Sequence, residues 1–391
     1  MFQIKTYDAI ADEGLATFPN NYLINTGQEP DAYMIQSTDM HGHNFGPNQL
    51  AIARCGADFN NIPLNDCLRR GIAVFNTPGG NANAVKEVVL ALMVIASRNL
   101  IEAANWSTKW GDEDLSLRAE RERSRFNGHE LAGKRLAVIG MGHVGSLVAN
   151  AAISLGMDVI GYDPYLSVED AWKLAARVQR AATLTEVVKG ADFITVHVPK
   201  NEGTLGMIGK NLLEEVKPGA ILFNYSRLGI VDNQAAVEAL TVGRLGQYVT
   251  DFGETCLQDN PQVIITPHLG GSTEEAEINC AKMAADELIQ YLETGNTTNS
   301  VNLPNVVVPF TSQHRFTIIH RNIPNMLGQI STVIAKAAVN IDNLVNRAKG
   351  DYAYTMVDVG ELTPEQVTTL VTALGQIDAV SRVRLLKRPT H

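Results

Sequence analysis

The stretch Gly140-Met141-Gly142-His143-Val144-Gly145 has the spacing of a turn that binds a dinucleotide. It follows the apolar segment 136–139 and precedes a segment of helical pattern at 146–155. Glycines in such a turn let the backbone approach a pyrophosphate, and the free N–H groups and positive dipole end of the helix attract its charge. Asp163 ends a second apolar segment, 18 residues after Gly145, where a carboxylate can accept hydrogen bonds from a ribose and repel a 2′-phosphate. The pattern predicts that the chain binds NAD in preference to NADP; a purely structural glycine turn is the less favoured interpretation.

Three later residues have side chains that suit hydride transfer from a 2-hydroxy acid. Arg227 follows a predicted strand, and the planar fork of arginine is well shaped to hold a carboxylate. His268 can accept a hydroxyl proton near neutral pH if a carboxylate orients it, and Glu254 is the candidate carboxylate. Simpler interpretations remain open: a strand cap or surface ion pair for Arg227, a turn residue for His268 and a solvated loop acid for Glu254. His197 lies in an alternating apolar run and is interpreted as a packed residue.

Parallel sheets would bring these residues together, because ligands of open α/β sheets bind beyond the carboxyl ends of the strands. Short apolar segments alternate with helical patterns, which predicts an α/β fold with two doubly wound, Rossmann-like parallel-sheet domains. The predicted strands are 3–7, 32–37, 50–55 and 72–75 in the first sheet, and 135–140, 158–162, 192–198, 220–224, 246–250 and 263–266 in the second. A long helix is predicted at 84–104.

The end of the chain has a different order of elements. After a helix at 273–294 and a polar linker at 295–300, the pattern predicts a small C-terminal ferredoxin-like α+β domain of βαββαβ order. Its predicted elements are strands 315–320, 341–348, 352–359 and 380–386 and helices 325–338 and 364–376.

Composition excludes several classes of partner. The chain has 391 residues, enough for two or three domains, and its 32 basic and 42 acidic residues give a net charge of −10. This charge argues against nucleic acid or an anionic membrane as the main partner. The four cysteines have no metal-ligand spacing, no metal site is predicted, and the longest apolar run, 88–96, is too short to span a bilayer. We expect a cytoplasmic protein. The charged segment 118–125 is interpreted either as a solvated helix or as a basic edge of a site that binds an anion.

Ordered motifs along nearly the whole chain resemble those of the D-isomer-specific 2-hydroxyacid dehydrogenases, and the tail resembles an ACT regulatory domain. The motifs, besides the glycine turn, are Ala53-Arg54-Cys55-Gly56, Asn60-Asn61-Ile62-Pro63, Asn76-Thr77-Pro78, Asp163-Pro164, His197-Val198-Pro199, Ser226-Arg227-Leu228-Gly229, Val231-Asp232, Thr250-Asp251-Phe252 and Pro267-His268-Leu269-Gly270-Gly271-Ser272-Thr273. In the tail they are Ile319-His320-Arg321-Asn322-Ile323-Pro324 and Val339-Asn340-Ile341. The resemblance implies a substrate-binding domain at 1–98 and 272–300, an NAD-binding domain at 99–271 and an ACT domain at 312–391.

The resemblance also implies an activity and its residues. The activity would be NAD-dependent oxidation of D-3-phosphoglycerate to 3-phosphohydroxypyruvate, the first step of serine biosynthesis. Catalytic roles would fall on Arg227, Glu254 and His268, and substrate binding on Arg54, Cys55 and Arg227. Cofactor contacts would come from Gly140, Gly142, His143, Val144, Gly145, Asp163, Tyr225, Ser226, Asp251, Gly270 and Gly271.

Regulation and assembly follow from the same resemblance. L-Serine would bind at His320, Asn322 and Asn340 as a feedback inhibitor, although the tail domain could instead serve only to dimerise the chain. A homodimer or homotetramer is expected. Two other functions stay open: dehydrogenation of another D-2-hydroxy acid such as 2-hydroxyglutarate, and a non-catalytic nicotinamide-sensing regulator.

Overall fold

The structure is a computed structural model that describes residues 1–27, 29–109 and 114–389, without the side chain of Leu115. Residues 110–113, next to the charged segment, and the last two residues of the predicted 312–391 domain lie outside the described residues. The chain forms two compact units, one of Met1–Gly80 with Glu274–His391 and one of Asn81–Thr273. The three-domain scheme stays a prediction.

The first 80 residues form a parallel five-stranded sheet. Its strands are β1 (Phe2–Thr6), β2 (Tyr22–Ile24), β3 (Ala32–Ile35), β4 (Ala51–Arg54) and β5 (Ala73–Asn76), in the order β2-β1-β3-β4-β5, with helices α1 (Asp12–Leu15) and α2 (Leu64–Arg70). All four predicted strands are present. The short β2 was missed, because three residues are too few for a periodic pattern.

The Asn81–Thr273 unit contains a parallel seven-stranded sheet. Its strands are β6 (Arg135–Ile139), β7 (Asp158–Tyr162), β8 (Gln179–Arg180), β9 (Phe193–Val196), β10 (Ala220–Asn224), β11 (Leu245–Thr250) and β12 (Val263–Ile265). Its helices are α3 (Ala82–Ser97), α4 (Leu100–Ser107), α5 (Leu115–Glu122), α6 (His143–Ser154), α7 (Val168–Ala171), α8 (Leu184–Val188), α9 (Lys210–Leu213) and α10 (Asn233–Thr241). The strand order β12-β11-β10-β9-β6-β7-β8 reverses direction between β6 and β9, which is where an open α/β sheet binds its ligand.

Two sequence predictions for this unit were wrong. The helix expected at 84–104 is two helices, α3 and α4, because Asn99 adopts a left-handed conformation with φ of 51° between them. The two-residue β8 was not predicted, so the sheet has seven strands instead of six. Strand β6 is apolar and fully buried from Leu136 onward, and α3 and α6 pack against this part of the sheet through a shared apolar cluster.

The remaining 118 residues continue the first unit. They contain α11 (Glu274–Thr294), α12 (Met326–Lys336), α13 (Pro364–Gly375), β13 (His314–Arg321), β14 (Ile341–Lys349), β15 (Tyr352–Val359) and β16 (Val380–Lys387). The four strands form an antiparallel sheet of order β14-β15-β13-β16, so the predicted βαββαβ order is confirmed. The two short helices cover one face, while Ile319 and Tyr354 of the sheet join the apolar cluster of α11 and the first sheet.

The predicted polar linker at 295–300 is not a solvated connection. Thr297 is fully buried, and the Tyr354 hydroxyl donates to the Gly295 carbonyl at 2.7 Å. Nearby, Arg315 forms a buried ion pair with Asp358 and also donates to the carbonyl of Thr294 at the end of α11. The small sheet is therefore part of the same folded unit as α11. No helix of the described ranges has the length and apolarity needed to cross a membrane.

Candidate active site

The glycine turn links β6 to α6 and has the shape that a pyrophosphate requires. Gly140 has a φ of 89°, and a Cβ there would lie 2.8 Å from the His197 carbonyl. A Cβ at Gly145 would lie 1.9 Å from the Gly140 oxygen, so this glycine lets the helix pack on the strand. A Cβ at Gly142 would meet nothing within 4 Å, and no side chain caps the start of α6. The N–H groups at the start of α6 therefore face open space, as an anion site at a helix N-terminus needs.

Asp163, after β7, is tied to this turn. Its Oδ2 accepts from the Met141 N–H at 2.9 Å and its Oδ1 accepts from the Tyr165 N–H at 2.9 Å. The carboxylate is half-buried and each oxygen keeps one lone pair for a further donor. This arrangement fits the two hydroxyls of a ribose beside the pyrophosphate.

The turn after β10 holds Arg227 at the carboxyl edge of the sheet. Asn224 fixes the turn from both sides, since its Oδ1 accepts from the Ser226 N–H at 3.2 Å and its Nδ2 donates to the Arg227 carbonyl at 3.1 Å. The Ser226 hydroxyl donates to the Val198 carbonyl at the end of the neighbouring strand. Arg227 is half-buried and donates from Nη1 to the Ser226 carbonyl at 2.7 Å.

The loop that carries His268 is held by the carboxylate of Asp251. Oδ1 accepts from the Thr266 hydroxyl at 2.6 Å and the Leu269 N–H at 2.8 Å, and Oδ2 accepts from the Gly270 N–H at 2.7 Å. Asp251 is only 4% exposed, so these charge-assisted bonds are strong. His268 itself is exposed, with a φ of 55°, and its ring packs on Phe252 at 5.2 Å. A histidine in the left-handed region is uncommon, so the bonds around Asp251 keep the loop in this conformation.

Tyr225 extends this network toward β10. Because the Thr266 hydroxyl donates to Asp251, it accepts from the Tyr225 hydroxyl, at 2.5 Å. Burial raises the pKa of Tyr225 to about 12, so the phenol stays protonated and remains a donor at neutral pH. Thr266 is thus a site residue that the sequence interpretation missed; its only signal was its position one residue after β12.

Glu254 and His268 lie in neighbouring loops but do not bond to each other. Glu254 is exposed, and its Oε2 accepts from the Asn233 Nδ2 at 2.7 Å. Within the described ranges, no hydrogen bond or ion pair joins it to His268. Asn233 in turn accepts from the Tyr248 hydroxyl at 3.0 Å, so Glu254 is held by a chain of side chains that reaches into the core.

His197, interpreted as packed, bonds through Nε2 to the Thr195 hydroxyl at 2.9 Å. Its Nδ1 is buried with no hydrogen-bond partner among the residues that the structure describes. Burial lowers the pKa of His197 to about 3, so the ring is neutral at physiological pH. His143 is exposed at the first position of α6, and Val144 follows it. Gly271, at the end of the His268 loop, has the amide of Asn81 where a Cβ would stand.

The predicted substrate residues of the first sheet lie at the end of β4. Arg54 lines a cavity of about 470 Å³ with Ser37, His41, Asp58 and Asn61, and its Nε donates to the Gln36 carbonyl at 3.0 Å. Cys55 does not line this cavity; it is buried, and burial raises its pKa to about 12, so the thiol is neutral.

Two of the three predicted serine residues lie together in the small domain. His320 and Asn322 line a cavity of about 240 Å³ with Asn325, Met326 and Asn346. His320 is buried, and its two ring nitrogens contact the Arg321 carbonyl and the Thr355 hydroxyl, both at 2.8 Å. Asn340 is exposed and is not among the lining residues, whereas Asn346 is one that the sequence did not indicate.

Comparison with known proteins identifies the central part of the chain. Residues 90–270 match the family model of the D-isomer specific 2-hydroxyacid dehydrogenase, NAD binding domain. Among solved structures, NAD⁺-bound 3-phosphoglycerate dehydrogenase of Entamoeba histolytica aligns with a TM-score of 0.60 at 22% identity, over 77% of this chain and 98% of that one. The holo form of Rhodotorula graminis D-mandelate dehydrogenase aligns with a TM-score of 0.65 at 20% identity, over 79% and 99%. At these identities the two structures show a shared fold.

Similarity in sequence is higher to two curated relatives. D-3-phosphoglycerate dehydrogenase of Archaeoglobus fulgidus is 36% identical over 325 residues, which are 81% of this chain but only 57% of that protein. The enzyme of the same name from Haemophilus influenzae is 32% identical over 352 residues, 87% of this chain and 82% of that protein. This chain therefore belongs to the D-3-phosphoglycerate dehydrogenase family, within the D-isomer specific 2-hydroxyacid dehydrogenases, and contains the NAD-binding domain of that family.

Proposed function

We propose that the chain catalyses the NAD-dependent oxidation of D-3-phosphoglycerate to 3-phosphohydroxypyruvate. The observation that carries this proposal is the carboxyl edge of the seven-stranded sheet, where a glycine turn open toward solvent, Arg227 and the His268 loop held by Asp251 follow β6, β10 and β12. Names of relatives support the choice of substrate, since several are called D-3-phosphoglycerate dehydrogenase.

Cofactor binding falls to the start of α6 and to Asp163. The N–H groups and the dipole of α6 hold the pyrophosphate. Asp163 accepts from the ribose hydroxyls, and its carboxylate would repel the 2′-phosphate of NADP. NAD, when bound, accepts the hydride that leaves C2 of the substrate. His143, Val144, Tyr225, Ser226, Asp251, Gly270 and Gly271 stay proposed contacts of the cofactor.

Substrate orientation falls to Arg227. Its guanidinium offers a planar pair of donors for the carboxylate of the hydroxy acid, and the turn made by Asn224 fixes the arginine backbone. Arg54 and Cys55 stay predictions for substrate binding.

Proton transfer falls to His268. The ring is exposed, so it can receive the hydroxyl proton as the C–H bond breaks and release it to solvent. Glu254 would stabilise the imidazolium; in this structure its Oε2 accepts from Asn233, and its pairing with His268 stays a proposal.

A substrate panel tests the proposal. Turnover of D-3-phosphoglycerate, D-glycerate and D-2-hydroxyglutarate is measured as NADH formation with NAD and as NADPH formation with NADP. The expected result is activity with the phosphorylated acid and NAD that Arg227→Ala and His268→Asn each reduce by about two orders of magnitude or more. A preference for 2-hydroxyglutarate would make that acid the substrate instead of D-3-phosphoglycerate. Absence of turnover with every acid would favour the nicotinamide-sensing alternative.

Regulation is a separate proposal. We infer that the small domain is an ACT domain that binds L-serine at His320 and Asn322, with Asn346 as a further contact, and that it assembles the chain into a dimer or tetramer. Its 240 Å³ cavity supports this, because amide and imidazole groups suit an amino acid. Titration calorimetry with millimolar serine tests it: heat that Asn322→Ala abolishes is expected, and no heat would overturn it.

A further inference from the structure

A cavity of the Asn81–Thr273 unit lies at the amino ends of its strands, on the edge of the sheet opposite the glycine turn. It encloses about 390 Å³ and is formed by residues that precede or begin β6, β9, β10 and β11, with the end of α3 and the segment 127–129. This volume lies at the small end of the range of small-molecule sites, about 300–1,000 Å³. None of the described residues proposed above for cofactor or substrate lines it.

The charged residues that line this cavity are two lysines and one aspartate, whose carboxylate is already hydrogen-bonded. Asp192 accepts from the Lys217 ammonium at 2.6 Å through Oδ1 and from the Arg135 N–H at 2.9 Å through Oδ2. Lys134 is half-buried, and among the described residues its ammonium forms no hydrogen bond and no ion pair within 4 Å, although its charge acts on Asp192 at longer range. The cavity therefore presents an ammonium group that is available to an anion.

A second side chain of the lining lacks a partner as well. The Oε1 atom of Gln247, on β11, is buried and accepts no hydrogen bond from the described residues. Buried carbonyl oxygens almost always accept a hydrogen bond, so this atom calls for a donor inside the cavity. A simple anion such as chloride would satisfy Lys134 and leave Gln247 without a partner.

The volume of the cavity and the position of the two residues on the sheet limit the size of the ligand. Lys134 precedes β6 and Gln247 lies on β11, and the two strands between them make three spacings of about 4.8 Å each. Both residues line the same cavity, and its volume of about 390 Å³ suits a short molecule.

We propose that this cavity binds a small carboxylate that carries an amino or hydroxyl group. Its carboxylate pairs with Lys134, and its amino or hydroxyl hydrogen is donated to Gln247 Oε1. Because the cavity lies at the amino edge of the sheet, such a ligand binds together with the cofactor and does not compete with it.

Calorimetry on the full chain saturated with NAD tests this proposal. The probes are glycine, L-alanine, L-serine and D-lactate, which carry both groups, propionate, which lacks the donor, and ethanolamine, which lacks the carboxylate. We expect at least one of the first four to bind and both of the others to fail. Lys134→Gln and Gln247→Leu should each weaken the binding at least tenfold, and Lys189→Gln, at an exposed lysine outside the cavity, should leave it unchanged.

Two further outcomes separate this site from others. Serine binding that Asn322→Ala abolishes and Lys134→Gln leaves intact belongs to the small domain and overturns the assignment for serine. Absence of binding by all four bifunctional probes, or equal binding of propionate, overturns the proposal itself. A melting curve for each variant shows whether it is folded. A competition titration tests the prediction that NAD and the small carboxylate bind at opposite edges of the sheet without displacing each other.

Discussion

Replacing Thr266 by valine tests whether the network around Asp251 positions the proposed base. Valine has nearly the shape of threonine but lacks the hydroxyl that accepts from Tyr225 and donates to Asp251. The variant leaves the Tyr225 hydroxyl without its partner and removes one of the three donors to the carboxylate. The Leu269 and Gly270 N–H groups still bond to Asp251, so the loop stays attached.

The size of the effect follows from burial. A buried polar group left unsatisfied costs about 1–3 kcal/mol, and Tyr225 and Asp251 are both buried. If the network positions the base, this cost appears in the activation free energy of the reaction. Since 1.4 kcal/mol there corresponds to about a tenfold change in rate, we expect kcat for D-3-phosphoglycerate to fall by about 5- to 100-fold. The Kd for NAD should stay within about threefold, because the turn at the start of α6 is untouched.

Three measurements decide the case. NADH formation gives kcat and KM, calorimetry gives the Kd for NAD, and a melting curve gives the Tm. Thr266→Ser keeps the hydroxyl and should retain most of the activity. If Thr266→Val lowers the Tm while kcat stays at the wild-type value, the network is structural only and the reasoning is refuted.

Three other changes have predicted outcomes. Gly142→Ala places its Cβ in open space, so the Tm should stay unchanged while the Kd for NAD rises at least about tenfold. Gly145→Ala should instead lower the Tm, because its Cβ would lie 1.9 Å from a backbone oxygen. Calorimetry gives the Kd and melting curves give the Tm of the two variants. Burial raises the pKa of Glu287 from 4.5 to about 8, so the folded chain holds a proton that the unfolded chain releases, and stability falls as the pH rises across this interval. Glu287→Gln should therefore raise the Tm at pH 8.5 and leave it nearly unchanged at pH 4.5, whereas an equal shift at both pH values would contradict the assignment. Asp358→Leu leaves the buried Arg315 without its counter-ion and should lower the free energy of unfolding, measured with denaturant, by about 3–5 kcal/mol. Adding Arg315→Met to the same chain should recover part of that loss. No recovery would show that the two residues are not coupled.

The strands and the glycine turn could be predicted because their signals are local. An apolar run such as Leu136–Ile139 is buried on both faces in a parallel sheet and needs no long-range information. The break at Asn99 could not be predicted, since asparagine is tolerated within helices and only the left-handed conformation ends α3. The linker at 295–300 was misjudged for the opposite reason: its polar residues are satisfied by hydrogen bonds inside the unit, as Thr297 is by the Pro304 carbonyl.

The contacts of the site were harder to foresee than its residues. Arg227 and His268 were singled out because each follows a predicted strand, and that position is a property of the chain alone. The bonds that fix them join residues far apart in sequence, such as Asp251 and Gly270 or Ser226 and Val198, and depend on which strands are neighbours. For Glu254, proximity in sequence to the site suggested a pairing with His268, while the structure supplies Asn233 as its partner.

Asp251 shows how one residue can serve both the cofactor and the base. A carboxylate offers about four lone pairs, and the three observed donors take two on Oδ1 and one on Oδ2. One lone pair of Oδ2 is left, so a contact with the carboxamide of NAD is compatible with the clamp on the His268 loop. A carboxamide N–H at that position would change the strength of the bond from the Gly270 N–H, because the two donors share the Oδ2 atom of Asp251. Cofactor binding and the position of the base are then coupled through a single buried atom, and loss of that carboxylate would affect both.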